Sequence, residues 1–145
     1  MFKEKHLTVQ SDLSVLTKVQ KWFEAFCAEN SAKFAWPQRQ VYAMELALAE
    51  GFTNAVRHAH QDLPPATPVK IDLALWDDRL EIRIWDRGKP FNPDLLEEPK
   101  PGTLQEGGYG WFLLRRLADK VLYERHQDRQ NCLLIVKYDF QQDER

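Results

Sequence analysis

Two short runs on either side of Asp77-Asp78 constrain the fold of this chain more than any other feature. In the run from Val69 to Leu75 the large apolar residues sit at odd positions, Val69, Ile71, Leu73 and Leu75. After Asp77-Asp78-Arg79 they move to even positions, Leu80, Ile82 and Ile84. Strand side chains alternate with period two, so a change of phase across a polar turn describes a hairpin with one buried face. An isolated hairpin is marginal in water, and other elements must cover that face.

Candidates for the cover stand on both sides. Val41, Met44, Leu48, Phe52, Ala55 and Ala59 recur at three- and four-residue steps, the pattern of a helix with one apolar stripe. Pro37 suits its first turn, and Pro64, Pro65 and Pro68 stop it. Before it, His6 to Gln10 alternates like a strand, and Ser11 is placed to cap a helix carrying Leu13, Leu16, Val19, Phe23 and Phe26 that ends near Asn30. After the hairpin, residues 92 to 107 hold Pro93, Pro99, Pro101, Gly102 and several acids, a loop composition. Trp111 to Asp119 returns to helical spacing, and Val121 to Arg125 and Asn131 to Tyr138 read as a closing pair of strands. Helices separated by antiparallel hairpins predict an α+β fold, with helices on one face of a sheet, in a single domain spanning 1–145.

Composition narrows the function classes. At 145 residues and 43% hydrophobic content the chain has material for one core and is short for two. A net charge of -2 with no basic block speaks against an electrostatic nucleic-acid footprint. Cys27 and Cys132 form no Cys-x-x-Cys pair, which leaves neither a disulfide framework nor a zinc ribbon. Lys3, Glu4, Lys5 and His6 interrupt any leader-like apolar run, and no stretch reaches membrane-spanning length. A soluble cytoplasmic protein without membrane contact is expected.

The polar side of the central helix needs a separate explanation. Glu50, Asn54 and His58 lie four residues apart and form one stripe opposite the apolar one. The hairpin ends in Asp86-Arg87-Gly88-Lys89-Pro90-Phe91, and Glu106-Gly107-Gly108-Tyr109-Gly110 opens the next helix. Taken singly, these are a solvated helix face, an ordinary turn and a glycine pair. In this order they resemble the N-box and two glycine boxes of the GHKL ATPases, a superfamily of gyrase-type and mismatch-repair ATPases, a heat-shock chaperone and histidine kinases. Within it, Glu50 to His58, Asp86 to Phe91 and Gly108 to Asp119 are most similar to the bacterial anti-sigma factor serine kinases, over nearly the whole chain.

The resemblance implies a two-layer α/β sandwich of the GHKL (Bergerat) type, its sheet mixed and mostly antiparallel, with an ATP lid at about 92–107. It also implies an anti-sigma factor that binds ATP and Mg²⁺, forms a homodimer, holds a sigma factor away from RNA polymerase, and phosphorylates a serine on a STAS-type antagonist. The chemistry of the matched residues suits this. Asp86 offers an acceptor for the adenine amine, and Gly88 lets backbone approach the base. Gly108 and Gly110 precede a helix whose unpaired amides attract phosphate. Asn54 supplies a neutral oxygen to Mg²⁺, which bridges protein to phosphates. Glu50, one turn earlier, is placed to orient or deprotonate the attacking hydroxyl. For His58 the options are a place near the phosphates, a packing role or simple exposure, and His58 with His60 makes no metal pair, because helical residues two apart diverge.

The chain departs from the family at three positions. Asn131-Cys132 stands where the family commonly has a threonine near the adenine, and a thiol is a poor hydrogen-bond partner. Tyr109 and Trp111 are bulky beside the second glycine box. Two alternatives to the kinase are a non-catalytic module that binds partners according to its nucleotide, and a stand-alone histidine kinase catalytic domain.

Overall fold

The computed structural model describes residues 2–31, 36–89 and 109–138. Its hairpin is the one the phase change requires. Strand β2 (Pro68–Leu75) pairs antiparallel with β3 (Arg79–Asp86), with Leu73 opposite Ile82 and Ile71 opposite Ile84. The turn is closed by Trp76 N–H donating to the Arg79 carbonyl at 2.8 Å. Strand β1 (Lys3–Gln10) pairs with β2, and β4 (Lys120–His126) and β5 (Gln130–Tyr138) add to the other side, giving the order β1-β2-β3-β5-β4. Every pairing among these strands is antiparallel, in keeping with the mostly antiparallel sheet expected, and the parallel component of a mixed sheet is not seen among the described residues. The β2–β3 and β4–β5 pairs are joined by tight turns, which makes them antiparallel hairpins, and the chain passes through two helices between β1 and β2.

Helices α1 (Leu16–Glu29), α2 (Gln38–Asn54) and α3 (Tyr109–Leu117) cover one face of this sheet. Val19 and Phe23 of α1, Met44, Leu48 and Phe52 of α2 and Leu114 of α3 are fully buried against Ile71, Leu73, Ile82 and Ile135. Each such side chain contributes about 1.5–3 kcal/mol by leaving water. Gly51 lets α2 come close, because a methyl group there would lie 2.6 Å from Ile84 Cδ1 and 3.0 Å from Leu133 Cδ2. The opposite face is mixed, with Ala74, Cys132 and Val136 buried among polar side chains. On it the Asp72 carboxylate accepts from His6 Nδ1 at 2.7 Å and from Trp85 Nε1 at 2.8 Å.

Two local details differ from expectation and bear on the site. Ser11 does not cap α1. Asp12 instead caps the 3-10 turn (Leu13–Val15) that leads into α1, accepting the Ser14 N–H at 2.9 Å, and α1 itself has no side-chain cap, while Ser11 is buried and turned toward His60. Helix α2 also does not simply continue to its prolines. After Asn54 it widens into a π turn (Ala55–Ala59), closed by His60 N–H donating to the Ala55 carbonyl at 2.9 Å. Such turns are often found at functional sites, because the extra residue redirects the side chains that follow.

Candidate functional site

The polar residues of α2 meet the start of α3. A methyl group on Gly110 would lie 2.8 Å from Glu50 Oε2 and 3.3 Å from Asn54 Oδ1, so glycine leaves these two oxygens room where they stand. Glu50 and Asn54 are half-buried on this side of α2, one turn apart. His58 does not extend their row. The π turn shifts the phase of the helix, and His58 is exposed on a larger cleft of about 430 Å³ that it shares with Arg87, Lys89, Arg125 and Arg129. Gly108 and the expected lid at 92–107 lie outside the described residues.

Asp86 ends β3 and is 3% exposed. A buried carboxylate needs donors, and this one has three. Its Oδ1 accepts from Gly88 N–H at 3.0 Å and from Asn131 Nδ2 at 2.7 Å, and its Oδ2 accepts from the Tyr123 hydroxyl at 3.0 Å. A carboxylate oxygen has two lone-pair directions, so Oδ1 is filled and Oδ2 keeps one acceptor position. Burial, and then the neighbouring Asp86 charge, push the Tyr123 phenol well above its ordinary range, which keeps it a neutral donor.

Asn131, 0% exposed, sits directly opposite Asp86 in the sheet, and Arg125 sits opposite Asn131. Arg125 Nη1 donates to Asn131 Oδ1 at 3.1 Å and to the Gly88 carbonyl at 3.0 Å. An arginine can only donate, which fixes the amide so that its Nδ2 faces Asp86 Oδ1 and the Gly88 carbonyl at 2.9 Å. Gly88 itself is pressed against the Ala59 carbonyl, which any Cβ at that position would overlap. The expectation for Cys132 is corrected by the register. Cys132 pairs with Trp85, on the sheet face away from the helices, so Asn131 alone stands where a threonine was expected. Burial raises the Cys132 thiol to about 12, which keeps it protonated.

His60 completes the turn from the other side. It is 3% exposed, its Nε2 accepts the Arg87 N–H at 2.7 Å, and its Nδ1 therefore carries the proton and faces Ser11 Oγ at 2.9 Å. Burial is the main cause of its pKa falling below the ordinary 6.5. The Asp86 charge opposes the shift and the Arg87 charge adds to it. Sequence reasoning missed Tyr123, Arg125, Ser11 and the bonding of His60. The signal for the first two was their period-two spacing in a strand beside Asn131, which is readable only once the register is known.

One cavity joins the two halves. Asn54 and Asp86 both line it, with Gly51, Ala55, Ala59, Ile84, Trp111, Tyr123 and Leu133. It holds about 20 Å³, room for one water molecule, so a purine ring would fit there only if lining side chains such as Trp111 or Tyr123 were displaced.

A polar stripe on one helix thus faces a glycine at the head of a second helix, with a buried Asp-x-Gly turn at the far end of the same groove, in an α+β domain. The chain belongs to the family of the histidine kinase-like ATPase domain, whose family model matches residues 9–137. It is similar to the serine-protein kinase RsbW of Halalkalibacterium halodurans, at 35% identity over 70% of this chain and 64% of that protein. It is also similar to the serine-protein kinase RsbW of Bacillus subtilis, at 29% identity over 66% of this chain and 64% of that one. The match thus spans less than two thirds of the length of these relatives. The fold is shared with the crystal structure of the RsbU and RsbW domains of Rv1364c from Mycobacterium tuberculosis, at a TM-score of 0.66 and 15% identity, covering 93% of this chain and 32% of that one. Among the described residues no helix is long and apolar enough to cross a membrane.

Proposed function

We propose that this chain is an ATP-dependent protein serine kinase and anti-sigma factor. In this reading it binds Mg-ATP as a cytoplasmic homodimer, holds a sigma factor, and phosphorylates a serine of a STAS-type antagonist. The observation that carries the reading is the cavity lined by both Asn54 and Asp86, with Gly110 seated on Glu50 and Asn54 just beyond it. The names of the similar proteins support the choice of serine as acceptor.

The residues divide the work by position. The acceptor position left on Asp86 Oδ2 suits the exocyclic amine of adenine, whereas guanine would present a carbonyl there and be repelled. Gly110, with Gly108, brings backbone amides to the phosphates at the head of α3. The Asn54 amide oxygen, half-buried beside Gly110, fits the hard-oxygen preference of Mg²⁺. That ion, when bound, neutralises charge on the phosphates. Glu50 orients the acceptor serine and takes its proton as the serine oxygen bonds to the γ-phosphorus and the bond to the ADP oxygen breaks. His58 stays a peripheral contact on the side of the larger cleft.

A Mg-ATP pull-down from the native lysate, with this protein and its Asn54→Ala variant as baits, tests the reading when partners and their phosphosites are identified by mass spectrometry. Serine phosphorylation of a STAS protein by wild type alone is expected. A partner held according to nucleotide but never phosphorylated would replace the kinase with a binding module, and an acid-labile phosphate on the product would make it a histidine kinase domain.

A further inference from the structure

His60 links three separate stretches of chain. Its ring reaches Ser11 at the β1–α1 junction through Nδ1 and Arg87 at the end of β3 through Nε2, and its own N–H closes the π turn of α2. Arg87 is the middle residue of Asp86-Arg87-Gly88, so the imidazole holds the backbone of the turn whose two ends carry the carboxylate and the glycine. On the far side of the same turn, Asn131 and Arg125 hold Asp86 and the Gly88 carbonyl. The turn is thereby gripped from both sides, and only the His60 side has a group that changes state near neutral pH.

We propose that His60 is a positioning residue for the base-binding turn, and that its protonation releases the Arg87 N–H and loosens nucleotide binding on acidification. The chemistry follows from the bond directions. Neutral His60 offers Nε2 as an acceptor to the Arg87 N–H. The imidazolium has no acceptor, so a ring N–H would point at a backbone N–H at a distance of 2.7 Å. The groups facing the ring are the Asp86 carboxylate at the end of β3, the Arg87 guanidinium from the turn after it and the Ser11 hydroxyl from the β1–α1 junction. Asp86 favours the imidazolium and Arg87 opposes it, while burial disfavours it. The link from the turn to nucleotide rests on the ATP-site reading above, whereas the link from His60 to Arg87 does not.

Two variants and two readouts separate these claims. His60→Gln keeps an acceptor within reach of Arg87 but does not titrate, and His60→Leu removes the acceptor. The readouts are hydrogen-exchange protection of the Arg87 and Gly88 amides in the nucleotide-free protein, and the Kd for a non-hydrolysable ATP analogue, each from pH 8 to pH 5. Wild-type protection relative to His60→Gln is expected to drop by about tenfold across this range and the relative Kd to rise by a similar factor, the usual size for one lost hydrogen bond. His60→Leu is expected to show the weakened state at every pH. Parallel profiles for wild type and His60→Gln, which share all other titrating groups and the phosphate ionisation of the nucleotide, would overturn the proposal. If no nucleotide binds at any pH, the ATP-site reading falls, and the Arg87 protection then decides for or against the His60 linkage by itself.

Discussion

Asp86 at one end of the groove is 3% exposed and receives hydrogen bonds from Gly88, Asn131 and Tyr123. Glu50 and Asn54 at the other end are half-buried, and among the described residues neither has a hydrogen-bonded partner for its side chain. Under the proposed function the contrast suits what each end would bind. A base is recognised by fixed acceptors, which lose least entropy when they are held in place beforehand. Phosphates and their cation bring their own charge and water, and protein oxygens that meet them are best left uncommitted to protein neighbours. Rigidity at one end and open valences at the other therefore suit one ligand lying along the groove.

The rigid end should break hardest. Gly88→Ala places a methyl group on the Ala59 carbonyl, and neither backbone can yield cheaply. Nucleotide affinity is expected to fall by about 100-fold or more, equivalent to roughly 3 kcal/mol, in a calorimetric titration; unchanged affinity would show that the turn is not part of the site. The open end should instead separate binding from chemistry. Glu50→Gln is expected to leave ATP affinity nearly unchanged and to lower phosphorylation by ~10²-fold or more, and an unaltered rate would remove Glu50 from the mechanism.

Asn131→Ala sharpens the comparison within the rigid end. It deletes two donated hydrogen bonds and leaves Arg125 one acceptor short. Unfolding by urea should show a loss of about 2–3 kcal/mol, the scale for unpairing buried polar groups; a loss below 0.5 kcal/mol would mean that water replaces the amide. The smallest effect lies away from the groove. Glu45 on α2 is raised to about 7, first by burial and then by its hydrogen bond to Glu24 of α1. A folded pKa above the unfolded 4.5 gives stability that is full below 4.5 and is lost as pH rises through 7. Glu45→Gln is expected to raise Tm by about 1–3 °C at pH 8 and to leave it level at pH 4.5, and equal shifts at both pH values would contradict the shared-proton contact.

The fold was legible because its core is written in period. The phase change at Asp77-Asp78 and the stripe from Met44 to Ala55 name the buried faces without reference to partners. Of Trp22, Phe23 and Phe26, read as core, the two phenylalanines are buried and Trp22 is half-buried against the core. The site was legible as an order of motifs, and that order was enough to bring Gly110 beside Glu50 and Asn54. What the sequence withheld depends on register and on one local helix defect. Whether Asn131 or Cys132 faces Asp86 is decided by a single residue of strand alignment. Likewise the π turn after Asn54, which takes His58 out of the row and turns His60 inward, leaves no mark in an apolar pattern that fits an ordinary helix equally well. Ser11 was misassigned because Ser and Asp are about equally good caps, and Asp12 stood next to it.

The most direct measurement is the Kd for ATP with and without Mg²⁺, determined calorimetrically for wild type and for Asn54→Ala. If the groove holds the base at Asp86 and the metal-bound phosphates at Asn54, Mg²⁺ should tighten ATP binding to wild type by about tenfold or more, roughly 1.4 kcal/mol. In the variant that gain should vanish while metal-free binding persists. An equal Mg²⁺ effect in both proteins, or no ATP binding by wild type, would contradict the single-groove site.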